Sequence, residues 1–283
     1  MVLDELFNAL KVKHRPYMAF FLAFIFTFIA FFVAFIFFRD DMSVALIFLT
    51  TLLLVPTIIT LIRLEEAVER KEGLKHFVRN HREIFEAYLF AFLGVFAAYL
   101  VLGFGSYDNP VLYDSMFNFQ TKYLNFQQGV TEDMITSFVK GFEVNTFSSL
   151  FGLFSHDLLV LVLCFLLSFF YGASAIFLMM LNASVFANFV IFVSKTVAEN
   201  LMQGVQVLGF FLIHMIPEVS GYLLAAIAGG VVSKAVFEEK KGSQAFKNVF
   251  KDATVLILIA VELVFVATVL EVFVTAPLFQ AFF

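Results

Sequence analysis

Long apolar runs separated by short charged segments set the pattern of this chain. Two runs of about twenty apolar residues occupy 18–38 and 42–62, joined by a tight turn at Arg39, Asp40 and Asp41. About twenty residues of α-helix span roughly 30 Å, the thickness of a bilayer's hydrocarbon core, so each run predicts one crossing. Pro56 lies inside the second run and is expected to kink it. A third run covers 84–104, with Glu86 near its start. A fourth begins at 158 and continues without a charged residue as far as 194. Asn182 interrupts it, and an asparagine there predicts a sharp turn dividing spans 158–181 and 183–200. Asn188 and Lys195 make the fifth span polar for lipid, so it is expected among other helices.

The stretch 204–215 is apolar but about half the required length, which predicts a re-entrant or half-length helix. Pro217 suits the first turn of a new helix, so a sixth span is expected over 218–237. The seventh runs over 252–275, and Ala276 and Pro277 are expected to end it. The fold class read from this pattern is an all-α polytopic integral membrane protein, with about seven transmembrane helices and one re-entrant or half-length helix.

The connections divide the chain further. Residues 63–83 are charged and read as a solvated helical extension, with Glu66 and Arg70 paired four apart and Gly73 interrupting the helix. The long segment 106–157 is polar and rich in Asn and Gln. Within it Thr131 can cap an interfacial helix whose apolar residues Ile135, Phe138, Val139 and Phe142 share one face. Residues 146–154 are too short to span and are expected to lie in the interface as well. Three units result: 1–105, with three spans and the charged helix 63–83; the loop 106–157; and a four-span core over 158–283.

Composition sharpens the picture. The chain is 61% hydrophobic and 14% charged, against about 45–50% and about 25% in soluble domains. No basic patch points to nucleic acid. The single Cys164 sits in an apolar run, so no intrachain disulfide forms, and it reads as a small buried hydrophobe. Phe reaches 43 residues and Trp is absent; ten Phe fall within 20–38 and read as lipid-facing and core filling. Tyr17 and Tyr107 flank apolar runs and are placed to anchor the interface. Residues 1–16 do not form a signal peptide, because the apolar run that follows is too long and has no small-residue cleavage site. Segments 1–17, 63–83 and 234–252 hold 14 of the 18 Lys and Arg residues. With seven spans these segments share one side, which the positive-inside rule makes cytoplasmic. The N-terminus is then inside, and the loop 106–157 and the C-terminus are outside.

Candidate chemistry gathers in 213–233, where His214, Pro217 and Glu218 precede the small residues Gly221, Ala225, Gly229, Gly230 and Ser233. Ionisable groups in hydrocarbon are costly and mark function by default. Small residues at helical spacing let another helix come close, and they would also serve a homodimer. Glu271 is expected in the same leaflet as His214 and Glu218. Glu262 lies midway along the seventh span, nine residues before Glu271 and therefore about 180° around the helix. Three readings compete. His214, Glu218 and Glu271 form a weak zinc-ligand candidate, without a His-Glu-x-x-His motif. Broken helices with Glu262 midway would suit a proton or ion pathway. A structural network would let His214, Asn182 and the carboxylates satisfy interrupted backbone. No catalytic set is evident, no cofactor is implied, and His156-Asp157 reads as interfacial.

The order His214-x-x-Pro217-Glu218, then Ala228-Gly229-Gly230, then Leu270-Glu271 through Thr275, Ala276 and Pro277, resembles the stage II sporulation protein M family, its archaeal members most. The stretches beginning at Tyr171 and Leu181 and the N-terminal layout fit the same pattern. Met215 stands where the family commonly has Gly, and Ala276 intervenes before Pro277. The resemblance implies a polytopic plasma-membrane protein. The namesake partners cell-wall hydrolases during engulfment in spore formers; archaeal members make no spores, so a scaffold that recruits partner proteins carries over but the process does not. The leading expectation is such a scaffold in the lipid bilayer. The alternatives are an ion or small-solute channel or transporter and, behind it, an intramembrane metal-dependent hydrolase.

Overall fold

The computed structural model describes residues 15–72, 77–106, 108–127, 146–171, 173–239 and 242–283. Every described element is helical. Seven helices are long and apolar enough to cross a membrane, over Met18–Phe37, Met42–Leu61, Arg82–Gly105, Leu150–Phe170, Ile176–Val197, Leu201–Phe237 and Gln244–Phe282. The Gly73 break, the interfacial helix from Thr131 and the Tyr107 anchor lie outside the described residues, as do the side chains of Glu66 and Arg70.

Helix α1 (Met18–Phe37) shows how so many Phe residues are placed. Ala19, Ala23, Thr27, Ala30 and Ala34 recur on one buried face. Phe21, Phe32, Phe35 and Phe37 point outward. The small face lies against α3 (Phe77–Gly105). There, a Cβ on Gly94 would collide with the carbonyl oxygen of Phe20. Between helices in lipid, attraction comes from close van der Waals packing, and small residues permit it. Helix α2 (Met42–Glu72) packs on α1 and then continues past its apolar span, with Pro56 accommodated inside it.

A short helix, α4 (Pro110–Gln127), falls in the polar segment and packs on α2 and on α6 (Ala173–Val197). Its partners are polar. Tyr113 donates to Asn188 Oδ1 at 2.8 Å, and Asn188 Nδ2 donates to Thr121 Oγ1 at 3.1 Å. Gln120 Nε2 donates to Ser184 Oγ at 3.1 Å, and Lys195 sits 3.6 Å from the centre of the Tyr113 ring. The polar residues of α6 are thus placed against α4, with Asn188 buried and Lys195 half-buried.

Three sequence expectations are corrected. Asn182 does not mark a turn: it lies inside α6, at the tenth residue of the helix. The fourth helix, α5 (Thr146–Tyr171), absorbs the 146–154 stretch that was expected in the interface. Its span therefore starts earlier and places Asp157 within it. Residues 204–215 do not form a separate half-length helix. They belong to α7 (Leu201–Glu238), one continuous helix with Pro217 inside. A proline removes one backbone donor and crowds the carbonyl four residues back, a cost that tight packing on both sides can offset. The start of α7 is set by Asn200, whose side chain accepts from the Gln203 N–H at 3.1 Å.

Helix α7 is the axis of the molecule. Residues 218–232 are buried without exception, which fits a segment apolar all round. It packs along α8 (Gln244–Leu270) and, on another side, along α5. Ala276 and Pro277 do not end the last span. A π-turn (Glu271–Thr275) leads into α9 (Ala276–Phe282), and the Ala276 N–H bonds Glu271 O across the wider turn. Pro277 falls in the first turn of α9, where its missing N–H is tolerated.

Candidate functional site

The candidate residues gather where α5, α7 and the end of α8 meet. Glu218 and Tyr222 are one helical turn apart on α7, and the Tyr222 hydroxyl donates to Glu218 Oε1 at 2.8 Å. The same hydroxyl lies 3.3 Å from Asp157 Oδ1 on α5. Thr268 on α8 reaches the other oxygen, Asp157 Oδ2, at 3.3 Å, while its hydroxyl also faces its own helix at Val264 O, 3.0 Å away. A hydroxyl carries one proton, so Tyr222 can serve Glu218 or Asp157 at any moment, and Thr268 can serve Asp157 or Val264. Two hydroxyls thus link carboxyl groups on two helices to a third helix. All four side chains are buried.

Glu271 opens the π-turn half-buried, near enough to Asp157 and Glu218 for their charges to interact. His214 turns elsewhere. Its Nδ1 lies 3.0 Å from Thr275 Oγ1 at the far end of the π-turn, and its ring packs on Phe211. Thr275 also approaches Phe210 O at 3.4 Å. The π-turn therefore sets a charge near the carboxyl cluster at one end and a hydroxyl against the imidazole at the other.

The structure does not bring all the sequence candidates together. His214, Glu218 and Glu271 do not converge as ligands. Among the described residues no three His, Cys, Asp or Glu side chains could hold a metal ion. Glu262 is exposed on the outer face of α8. Asn182 sits mid-helix in α6, and its Nδ2 is buried without a hydrogen-bond partner among the described residues. Pro217 is half-buried inside α7. Of the small residues, Gly221, Ala225, Gly229 and Gly230 are buried and Ser233 is half-buried. A Cβ on Gly221 would lie 2.6 Å from Val264 Cγ2 and 2.8 Å from Ala260 O of α8. One on Gly229 would collide with Phe165 O of α5.

The sequence offers Asp157 only as interfacial and Thr275 only within the family pattern, and it does not single out Tyr222 or Thr268. Tyr222 had a signal, because it follows Glu218 at i+4 inside an apolar run. Asp157 was read at the mouth of a span, and it is corrected to a buried position because the helix begins eleven residues before it.

A family model described as stage II sporulation protein M matches residues 87–276, from the middle of α3 to the start of α9. The chain belongs to the stage II sporulation protein M family. Neither a curated protein nor a solved structure matches it. The match to this family takes in every residue of the polar cluster and the helices that carry it.

Proposed function

We propose that this member of the stage II sporulation protein M family is a membrane scaffold that recruits partner proteins. The observation that carries the reading is the projection of α2. Its apolar span ends at Leu61, yet the helix continues for eleven residues to Glu72. At 1.5 Å per residue that is roughly 16 Å of helix beyond the hydrocarbon. Its sequence there is Ile62 to Glu72, with Arg63, Glu65, Glu66, Glu69, Arg70, Lys71 and Glu72. A charged helix held off the membrane is a handle for other proteins.

The interior supports the same reading. Gly221 and Gly229 let α8 and α5 press on α7, and the Glu218–Tyr222–Asp157–Thr268 network ties the three together. In this reading the polar cluster and the His214–Thr275 pair fix how these helices sit. The features that motivated a channel are weakened: Asn182 and 204–215 lie in continuous helices, and Glu262 faces outward. The distribution of Lys and Arg, with 14 of 18 in three segments, supports a plasma-membrane orientation with the projecting end of α2 in the cytoplasm.

The test is photo-crosslinking from a probe at Ala67 in native membranes, with adducts identified by mass spectrometry. A reproducible partner should appear and disappear when 62–72 is replaced by an uncharged helical sequence of equal length. Adducts that are absent, or that contain only this chain, would end the proposal.

A further inference from the structure

Glu262 stands apart from every other acid in the spans. It lies eighteen residues from one end of the Gln244–Phe282 helical run and twenty from the other, roughly 27 and 30 Å along the axis. Its carboxyl group is exposed, and among the described residues no hydrogen bond or ion pair reaches it. The residues beside it on the same outer stripe are apolar: Leu258 is 64% exposed, Phe265 47% and Val266 41%. The buried face of α8 lies on Ala253, Leu256, Ala260, Val264 and Ala267, so the stripe points away from the bundle. A carboxylate in that position is too deep to reach water and is costly against lipid.

We infer that this stripe docks a transmembrane helix of another protein, one that presents a Lys or Arg to Glu262 near mid-membrane. Charge complementarity selects this occupant over a second copy. Two copies joined by this face would bring two carboxyl groups together, which can share a hydrogen bond only after one of them takes up a proton, whereas a Lys or Arg brings donors and the opposite charge at once. The stripe's hydroxyl, Thr254, already donates to Phe250 O at 2.8 Å. Leu258, Phe265 and Val266 supply the apolar surface along which a partner helix would pack. The inference rests on the scaffold reading only for the expectation that partner proteins exist.

The experiment uses the full chain in bilayers of neutral lipid, with a synthetic Leu-Ala transmembrane peptide carrying one central Lys. Association is read by energy transfer and compared with the same peptide carrying a central Leu. The Lys peptide should bind between about threefold and thirtyfold tighter, the range of measured interhelical polar contacts. Glu262→Gln should reduce that preference, and Glu262→Leu should abolish it. A Cys pair between Leu258→Cys and the peptide should cross-link. Equal binding of the two peptides would overturn the inference, as would a Lys preference that survives in Glu262→Leu. Self-association lost in Glu262→Leu, without any Lys preference, would overturn it in favour of a second copy. The scaffold proposal falls or stands separately, on adducts from Ala67.

Discussion

Replacing Gly221 by Ala tests whether close helix contact, rather than helix propensity, governs α7. Two effects oppose. Ala is better than Gly in a helix interior by about 1 kcal/mol. Against this, the new methyl would lie 2.6 Å from Val264 Cγ2 and 2.8 Å from Ala260 O, where ordinary contact begins near 3.4 Å. The Val264 methyl can move with its side chain. The Ala260 oxygen is backbone, so α8 itself must retreat by about half an ångström. Overpacking of this kind costs about 1–3 kcal/mol, and here it also loosens the interface of α7 with α8, the most extensive among the described helices. Gly221→Ala is therefore expected to destabilise by about 1–2 kcal/mol after the propensity gain. Gly209, on the same helix, has nothing within 4 Å of its Cβ position, so Gly209→Ala should stabilise by up to about 1 kcal/mol. Unfolding in mixed micelles by graded denaturing detergent measures both. Adding Val264→Ala to Gly221→Ala should recover part of the loss, because one of the two clashes is removed. The same sign for both glycines would refute the reasoning.

Other outcomes follow from the polar contacts. Tyr222→Phe leaves Glu218 and Asp157 without their shared donor and should cost about 1–3 kcal/mol in the same unfolding assay. His214→Phe and Thr275→Val, single and combined, should show coupling of about 0.5–3 kcal/mol in a double-mutant cycle; strictly additive losses would separate the two residues. Burial, with the Asp114 charge adding to it, raises the Tyr113 phenol above its ordinary range. The stability this phenol contributes is full below the unfolded phenol pKa, about 10, and is lost as pH rises through the raised folded value. Ultraviolet titration should show the number of late-titrating phenols fall by one in Tyr113→Phe, and that variant should lose about 1 kcal/mol from the attachment of α4.

The number of crossings was legible because each needs its own long apolar run. What the sequence hid was settled by contacts between distant segments. Asn182 is a good cap in isolation, but inside a long apolar run a cap residue is no guarantee of a break, and Asn182 lies within the continuous helix α6. Asp157 looked like a helix-end charge because its partners, Tyr222 and Thr268, lie 65 and 111 residues away. Helix α4 looked like polar loop for the same reason: Ser184 and Asn188, which its Gln120, Thr121 and Tyr113 meet, are on α6. Pro217 was given its usual role as an initiator, whereas the burial of everything from 218 to 232 holds α7 continuous through it.

The wide turn at Glu271–Thr275 has a geometric consequence for the last stretch of chain. A single surplus residue in a helix shifts the phase of everything after it by about 100°. Here that phase sets Phe279 against the rings of Phe210 and Phe211. Deleting any one residue between 271 and 275 would restore an ordinary helix and swing Phe279 about a quarter turn off those rings. Deleting a residue and inserting one beyond 275 would return it. The last helix is thus indexed like a dial, and its setting depends on the count of residues in one turn rather than on their identity.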